Sequence, residues 1–138
     1  MNYQDQDTYG MYNAQKEDGP GPQLMGANTL NGNEVRNRRG EDLGDIKEIM
    51  LDMHNGSVAY AVLSFGGFMG VGNKLFAVPW SALKLDTSNK CFVLDVEKDK
   101  LGNAPGFDKD HWPDMADATW AQGINRFYGQ TPRSAQHR

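Results

Sequence analysis

Apolar residues are spread unevenly along this 138-residue chain. The opening stretch, MNYQDQDTYGMYNAQKEDGPGPQ, contains no Leu, Ile, Val or Phe. Such a segment cannot bury enough apolar surface to offset the entropy of ordering it, so residues 1–23 are expected to form a disordered tail ending in the Gly-Pro run Gly19–Pro22.

From Leu24 to about Leu94 the pattern is one of short strands and turns. DIKEIMLDM and SVAYAVLSF are β-prone runs joined through His54, Asn55 and Gly56. Asn-Gly between such runs signals a hairpin, because both central residues of a type I′ turn need positive φ. That turn predicts Leu51 opposite Tyr60 and Ile49 opposite Val62 on one face, with Met50 opposite Ala61 and Ile46 opposite Phe65 on the other. Both faces are mostly apolar, so the hairpin is expected to be covered twice. KLFAVP reads as a strand that stops at Pro79, which has no N–H for a ladder. ALKLD and CFVLDV form a further pair across the polar turn Thr87–Lys90, with alternation at Leu83/Leu85 and Phe92/Leu94. An earlier strand is expected over Asn33–Asn37, followed by a turn in RRGEDLG. About five or six strands at this spacing, with no intervening helix long enough for a βαβ unit, predict an all-β fold, a small antiparallel barrel.

Beyond Val96 the period changes. EKDKLG reads as one helical turn closed by Gly102, and a loop containing Pro105 and Gly106 follows. In PDMADATWAQGINRFYG, Trp120, Ile124, Phe127 and Tyr128 recur at helical spacing, with Gln122, Asn125 and Arg126 assigned to the opposite side. Asp117 is the predicted N-cap, Gly129 the C′ residue, and Pro132 blocks continuation. The organisation expected is a tail over 1–23, a barrel domain over 24–107, a loop and amphipathic helix over 108–130 and a disordered end over 131–138.

Composition narrows the functions available. An apolar content of 38% is enough for one core in a chain of this length. A net charge of −4 leaves no broad basic face, which argues against nucleic acid as the main partner. The local cluster VRNRRG makes Arg36, Arg38 and Arg39 candidate anion contacts, although three arginines beside a glycine are most often a solvated turn. Cys91 is the only cysteine, which excludes an internal disulfide and suits a reducing compartment. Its place in a strand-like run makes a buried, inert thiol the expected state. The N-terminus lacks the pattern of a signal peptide and no apolar run approaches the roughly 20 residues of a membrane helix, so a soluble cytoplasmic protein is expected.

GGFMGVGNKLFAVPW, Gly66–Trp80, poses the sharpest choice. A P-loop needs Lys and then Ser or Thr directly after its last glycine, between a strand and a helix. Here Asn73 displaces the lysine to position 74, Leu75 replaces the hydroxyl, and strand-like residues follow. The dinucleotide-binding fingerprint fails for want of a helix at its last glycine. Gly66, Gly67, Gly70 and Gly72 are therefore read as corner residues, with Phe68 and Met69 at the tip of the connection.

These residues carry a family resemblance. GEDLGDIKEIMLD, the hairpin segment NGSVAYAVLSFGGFMGVGNKLFAVPWSAL and LGNAPGF resemble the PRC-barrel domains, named for the cytoplasmic domain of the photosynthetic reaction-centre H subunit. The match runs from about Leu24 to Phe107, with Gly56, the four glycines, Pro79 and Trp80 as its turn and motif residues. HWPDMADATWAQGINRFYG is similar to the tail of stand-alone bacterial members. The resemblance implies a small antiparallel barrel acting as a binding or assembly module without chemistry of its own.

Catalytic alternatives have little to stand on. His54, His111 and His137 lack metal-ligand partners at i+4, and no Cys-x-x-Cys is present. Asp108, Asp110, His111, Asp114 and Asp117 are the best metal group, yet as a calcium loop they break at Pro113 and Thr119, and a helix-capping role is expected instead. No catalytic residue, metal site, cofactor or small-molecule substrate is assigned. Trp80 is expected in the core. Trp112, Trp120, Ile124, Phe127 and Tyr128, with Phe68 and Met69, are the candidate interaction residues. The helical stripe has two possible acceptors, its own barrel or a second subunit in a homodimer. The leading expectation is a module that docks on another protein or on itself. An RNA- or ligand-associated module using the three arginines is the alternative, and a metal enzyme on the acidic group the third.

Overall fold

The computed structural model describes residues 2–5, 24–65 and 74–130. Among them, β1 (Glu34–Arg36), β2 (Asp42–Asp52), β3 (Ser57–Phe65), β4 (Lys74–Pro79), β5 (Leu83–Asp86) and β6 (Cys91–Leu94) form one sheet in the order β4-β3-β2-β1-β6-β5. Three helices accompany it: α1 (Ala27–Leu30), α2 (Lys98–Gly102) and α3 (Ala118–Phe127). KLFAVP, ALKLD and CFVLDV thus become strands where the pattern predicts them, and β4 ends on Pro79.

Connectivity forces the sheet to curl. Laid flat, its outer strands β4 and β5 would stand about 24 Å apart at the usual inter-strand spacing. They are joined only through the 3₁₀ turn Trp80–Ala82, which spans at most about 14 Å. The edges must therefore approach each other, giving a half-barrel. Ladder irregularities help: the register steps past Leu43 opposite Val35 and Arg36, past Lys47 opposite Val62 and Leu63, and past Ala59 opposite Met50 and Leu51. Each extra residue bends its strand and increases local twist.

Four ladders are antiparallel as expected, whereas β1 and β6 pair in parallel. Local hairpin signals reveal only antiparallel neighbours; a parallel pair between distant segments leaves no such trace.

The predicted hairpin register needs correction. Met50 faces Tyr60, Ile49 faces Ala61 and Leu51 faces Val58, with Asp52 opposite Ser57. The loop holds four residues, not two. Gly56 takes φ +74° and its N–H donates to the Asp52 carbonyl at 2.8 Å, but Asn55 does not take positive φ, which rules out type I′. Side chains favour the longer loop: Asp52 Oδ1 accepts from the His54 N–H at 2.9 Å, and Asn55 Oδ1 accepts from the Ser57 N–H and hydroxyl at 3.0 and 2.7 Å.

The core lies inside the curl. Val35, Leu43, Ile46, Leu63, Phe76 and Val78 are fully buried. β3 is buried along Tyr60–Phe65 and so covered on both faces, but β2 is not: Asp45, Lys47, Glu48 and Leu51 are exposed. Within the segment read as a tail, residues 2–5 form a turn in which Tyr3 is buried and its N–H donates to the Lys90 carbonyl at 2.9 Å. Residues 6–23 and 131–138, including His137 and Pro132, lie outside the described residues.

Cys91, next to Lys90 in the chain, is buried. Burial first, then the nearby negative charges of Asp86 and Glu34, pushes its thiol pKa up, and burial alone pushes Tyr128 up. Both groups bind their protons more tightly when folded, so their contribution is complete below the ordinary thiol pKa and is lost as pH rises through the raised values. The urea midpoint is expected to decline from about pH 8.5 upward, and Cys91→Ala to remove the first part of that decline.

Candidate protein-docking groove

α3 forms because its ends are chemically defined. Asp117 Oδ1 accepts from the Thr119 N–H at 3.4 Å, and Gly129 takes φ +68° just past the C-cap Tyr128, as the sequence predicts. Its apolar stripe lies on the chain's own sheet. Ile124 and Tyr128 are buried, the Trp120 ring meets Tyr60 edge-on at 5.4 Å, and Phe127 lies 4.9 Å from the Tyr128 ring with Lys100 Nζ 5.7 Å from its own centroid. Gln122 and Arg126 are exposed as expected, but Asn125, assigned to the same outer side, is 3% exposed. Its Nδ2 donates to the Ala121 carbonyl at 2.8 Å, which removes much of the cost of burying an amide.

Between the first half of α3 and the end of the β2–β3 hairpin opens a groove of about 450 Å³. Met50, Ala59 and Tyr60 line it from the sheet, and Met115, Ala118 and Ala121 from the C-terminal segment. Asp52, His54, Gln122 and Asn125 supply the polar part. Leu51 also lines it while 55% exposed, and Met53, in the adjoining loop, is 86% exposed. The predicted register would have placed Leu51 against Tyr60. The observed one sets it opposite Val58, near the strand end, where the sheet no longer covers it. Leu51 at the end of β2 and Met53 in the loop that follows are thus two exposed large apolar residues close to an apolar groove, a combination common in contact surfaces.

Other candidates are distributed differently. Gly66, Gly67, Gly70, Gly72, Phe68 and Met69 lie outside the described residues; the next described element is the strand β4. Pro79 ends β4, and Trp80, in the 3₁₀ turn, packs partly buried with its ring 5.5 Å from Phe92. Trp112 is 44% exposed, with its indole N–H donating to the Lys109 carbonyl at 2.9 Å and its ring 4.9 Å from Phe107.

The three arginines are each matched with an acid: Arg36 with Glu34 at 3.0 Å, Arg38 with Asp95 at 3.6 Å and Arg39 with Glu97 at 3.7 Å. Glu34, by hydrogen bond and charge, raises the Arg36 pKa. The latter two pairs are exposed and individually weak, yet the acids cancel much of the local positive field. Of the acidic group, Asp108 accepts from the Asp110 N–H and contacts His111 Nδ1 at 2.7 Å; the histidine contact first, then the backbone bond, holds its carboxyl below the usual range. Asp114 accepts from the Ala116 N–H and Asp117 caps α3, so these carboxylates order the turns leading into the helix. No group of three His, Cys, Asp or Glu among the described residues is arranged to hold a metal ion.

The family model of the PRC-barrel domain matches residues 22–101, more than half the chain. The chain belongs to the PRC-barrel family. No curated protein matches it. PRC barrels are modules that often serve protein interaction or assembly. The match takes in α1 and all six strands, ends within α2 and stops before α3, so one wall of the groove belongs to the PRC barrel itself and the other to the extension that follows it. No helix among the described residues is long and apolar enough to cross a membrane.

Proposed function

We propose that this PRC-barrel protein is a non-enzymatic interaction module that docks a protein partner in the groove between its β2–β3 hairpin and α3. The carrying observation is the position of two exposed large apolar residues: Leu51, which lines an apolar groove, and Met53, which stands in the chain between the lining residues Asp52 and His54. Methionine suits such a surface because its flexible, polarizable chain adapts to the partner; Met50 and Met115 line this one, and Met53 lies in the adjoining loop. The curled sheet gives the groove a rigid wall, while α3 holds its place through Trp120 and Ile124.

This reading places no catalyst in the protein and assigns it to the cytoplasm, in keeping with a single buried cysteine. Homodimerisation through the α3 stripe finds less support, since Ile124 and Tyr128 are already buried within one chain. An anion-binding role for Arg36, Arg38 and Arg39 finds less still, because each faces an acid.

Leu51→Ser with Met53→Ser is the direct test. Both side chains are largely exposed, so the double variant is expected to keep its stability within about 1 kcal/mol. Affinity capture from the source cells, followed by mass spectrometry, is expected to retain a partner on the unaltered protein and lose it on the variant. An identical set of captured proteins would refute the groove as the docking site.

A further inference from the structure

The groove's chemistry narrows its occupant. Among the described residues no Lys or Arg lines it, and its one acidic lining side chain is that of Asp52. Strand alternation puts Glu48, Met50 and Asp52 on the same side of β2, so acids flank the groove methionine along the sheet wall. Along the other wall, the exposed carboxylates of Asp114 and Asp117 flank the lining residues Met115, Ala116 and Ala118. Inside, Asn125 is almost wholly removed from solvent; one Nδ2 hydrogen goes to the Ala121 carbonyl, and Oδ1 is available as an acceptor beside the second Nδ2 hydrogen. An apolar lining with methionines, an internal acceptor and acids along both walls form one pattern: apolar contact at the centre, negative charge around it.

Resting on the docking reading above, we infer that the occupant is a basic amphipathic segment of a partner protein, an apolar helical face bordered by Lys or Arg. Such a segment buries its apolar side chains against Met50, Ala59, Tyr60 and Met115 and extends its cationic heads toward Glu48, Asp52, Asp114 and Asp117. Long basic side chains suit this arrangement because their methylene stems cover apolar surface while their charges stay in water. An acidic segment would meet like charge on both walls.

The test uses the full-length protein and two synthetic amphipathic peptides of about 14 residues, one of Leu and Lys, the other of Leu and Glu, with binding followed by fluorescence anisotropy. The Leu/Lys peptide is expected to bind at least roughly tenfold tighter, with an affinity that falls as salt rises. The triple variant Glu48→Gln, Asp52→Asn, Asp114→Asn keeps the turn-forming side-chain oxygens and is expected to weaken binding by roughly tenfold. Asp86→Asn, on the distant β5–β6 turn, is expected to change nothing, which shows that losing a carboxylate elsewhere on the surface does not weaken binding. Equal binding of the two peptides, an unaffected triple variant, or a loss equally produced by Asp86→Asn would overturn the inference. Binding that survives Leu51→Ser with Met53→Ser would place the peptide elsewhere and overturn it too. A protein whose mass doubles in solution with the groove closed to peptide would identify a second copy as the occupant and overturn it as well. If capture of the native partner depends on Leu51 and Met53 but not on the acids, the docking reading stands and only the basic partner falls.

Discussion

Gly44→Ala is expected to cost about 3–5 kcal/mol, a large share of the stability of a typical small domain. Two effects coincide there. Gly44 has φ +109°, a region where a side chain costs about 1–2 kcal/mol. It also lies in the ladder opposite Val35, where an added Cβ would collide with the Ser64 carbonyl and meet the Phe65 Cα at 3.3 Å. The obstacle is backbone of the interior strand β3, which cannot give way as a flexible side chain would. Gly40 and Gly56 separate the two contributions, because they have φ of +80° and +74° with nothing within 4 Å of the added carbon. Alanine at either is expected to cost only about 1–2 kcal/mol. Urea unfolding followed by circular dichroism measures all three; a Gly44→Ala loss no larger than that of Gly56→Ala would show that the close approach to β3 is relieved by a small shift.

The same residue shows where sequence reading stops. Gly44 falls in RRGEDLG, which reads as a turn, yet β2 begins at Asp42 and the glycine belongs to the strand. A glycine within a strand pattern marks a bulge or a close backbone approach, and that signal is present in DLGDIKEI. The features legible in the sequence are local: Pro79 ends β4, Asp117 and Gly129 bound α3, and Thr87–Lys90 turns β5 into β6, with Asp86 Oδ1 accepting from the Ser88 and Asn89 N–H groups. Those that escape it depend on distant segments. The parallel β1–β6 pairing and the three ladder irregularities belong to the curl of the whole sheet, which no local pattern encodes. The docking surface is hidden for that reason: an uninterrupted register makes Leu51 a core residue, whereas the irregular ladder and four-residue loop turn it outward. Asn125 is misplaced by the same limitation, since its polarity says outside and only the neighbouring hairpin makes its position inside.

Phe76→Ala is expected to lose about 3–5 kcal/mol, and its effect should travel further than a cavity alone would carry it. Phe76 is fully buried in the middle of β4, opposite Leu63. On its other side the chain returns: Leu75 and Phe107 exchange N–H···O=C bonds at 2.9 Å in both directions, and Gly106 lies so near that an added Cβ would meet the Phe76 ring at 3.0 Å. The ring is thus the surface on which the segment after α2 docks, and that segment leads through Phe107 and Trp112 to α3, the outer wall of the groove. Removing the ring is expected to leave a void and to loosen this attachment, so amide exchange should rise in residues 104–128 more than in β2. Phe76→Leu, which keeps most of the volume, is expected to lose about 1–1.5 kcal/mol and to leave exchange in α3 near its original level. Partner capture should then be weakened by Phe76→Ala but preserved in Phe76→Leu. That outcome follows if the groove requires α3 held against the barrel; equal capture by both variants, with α3 exchanging freely in the first, would show that the sheet wall with Leu51 and Met53 docks the partner by itself.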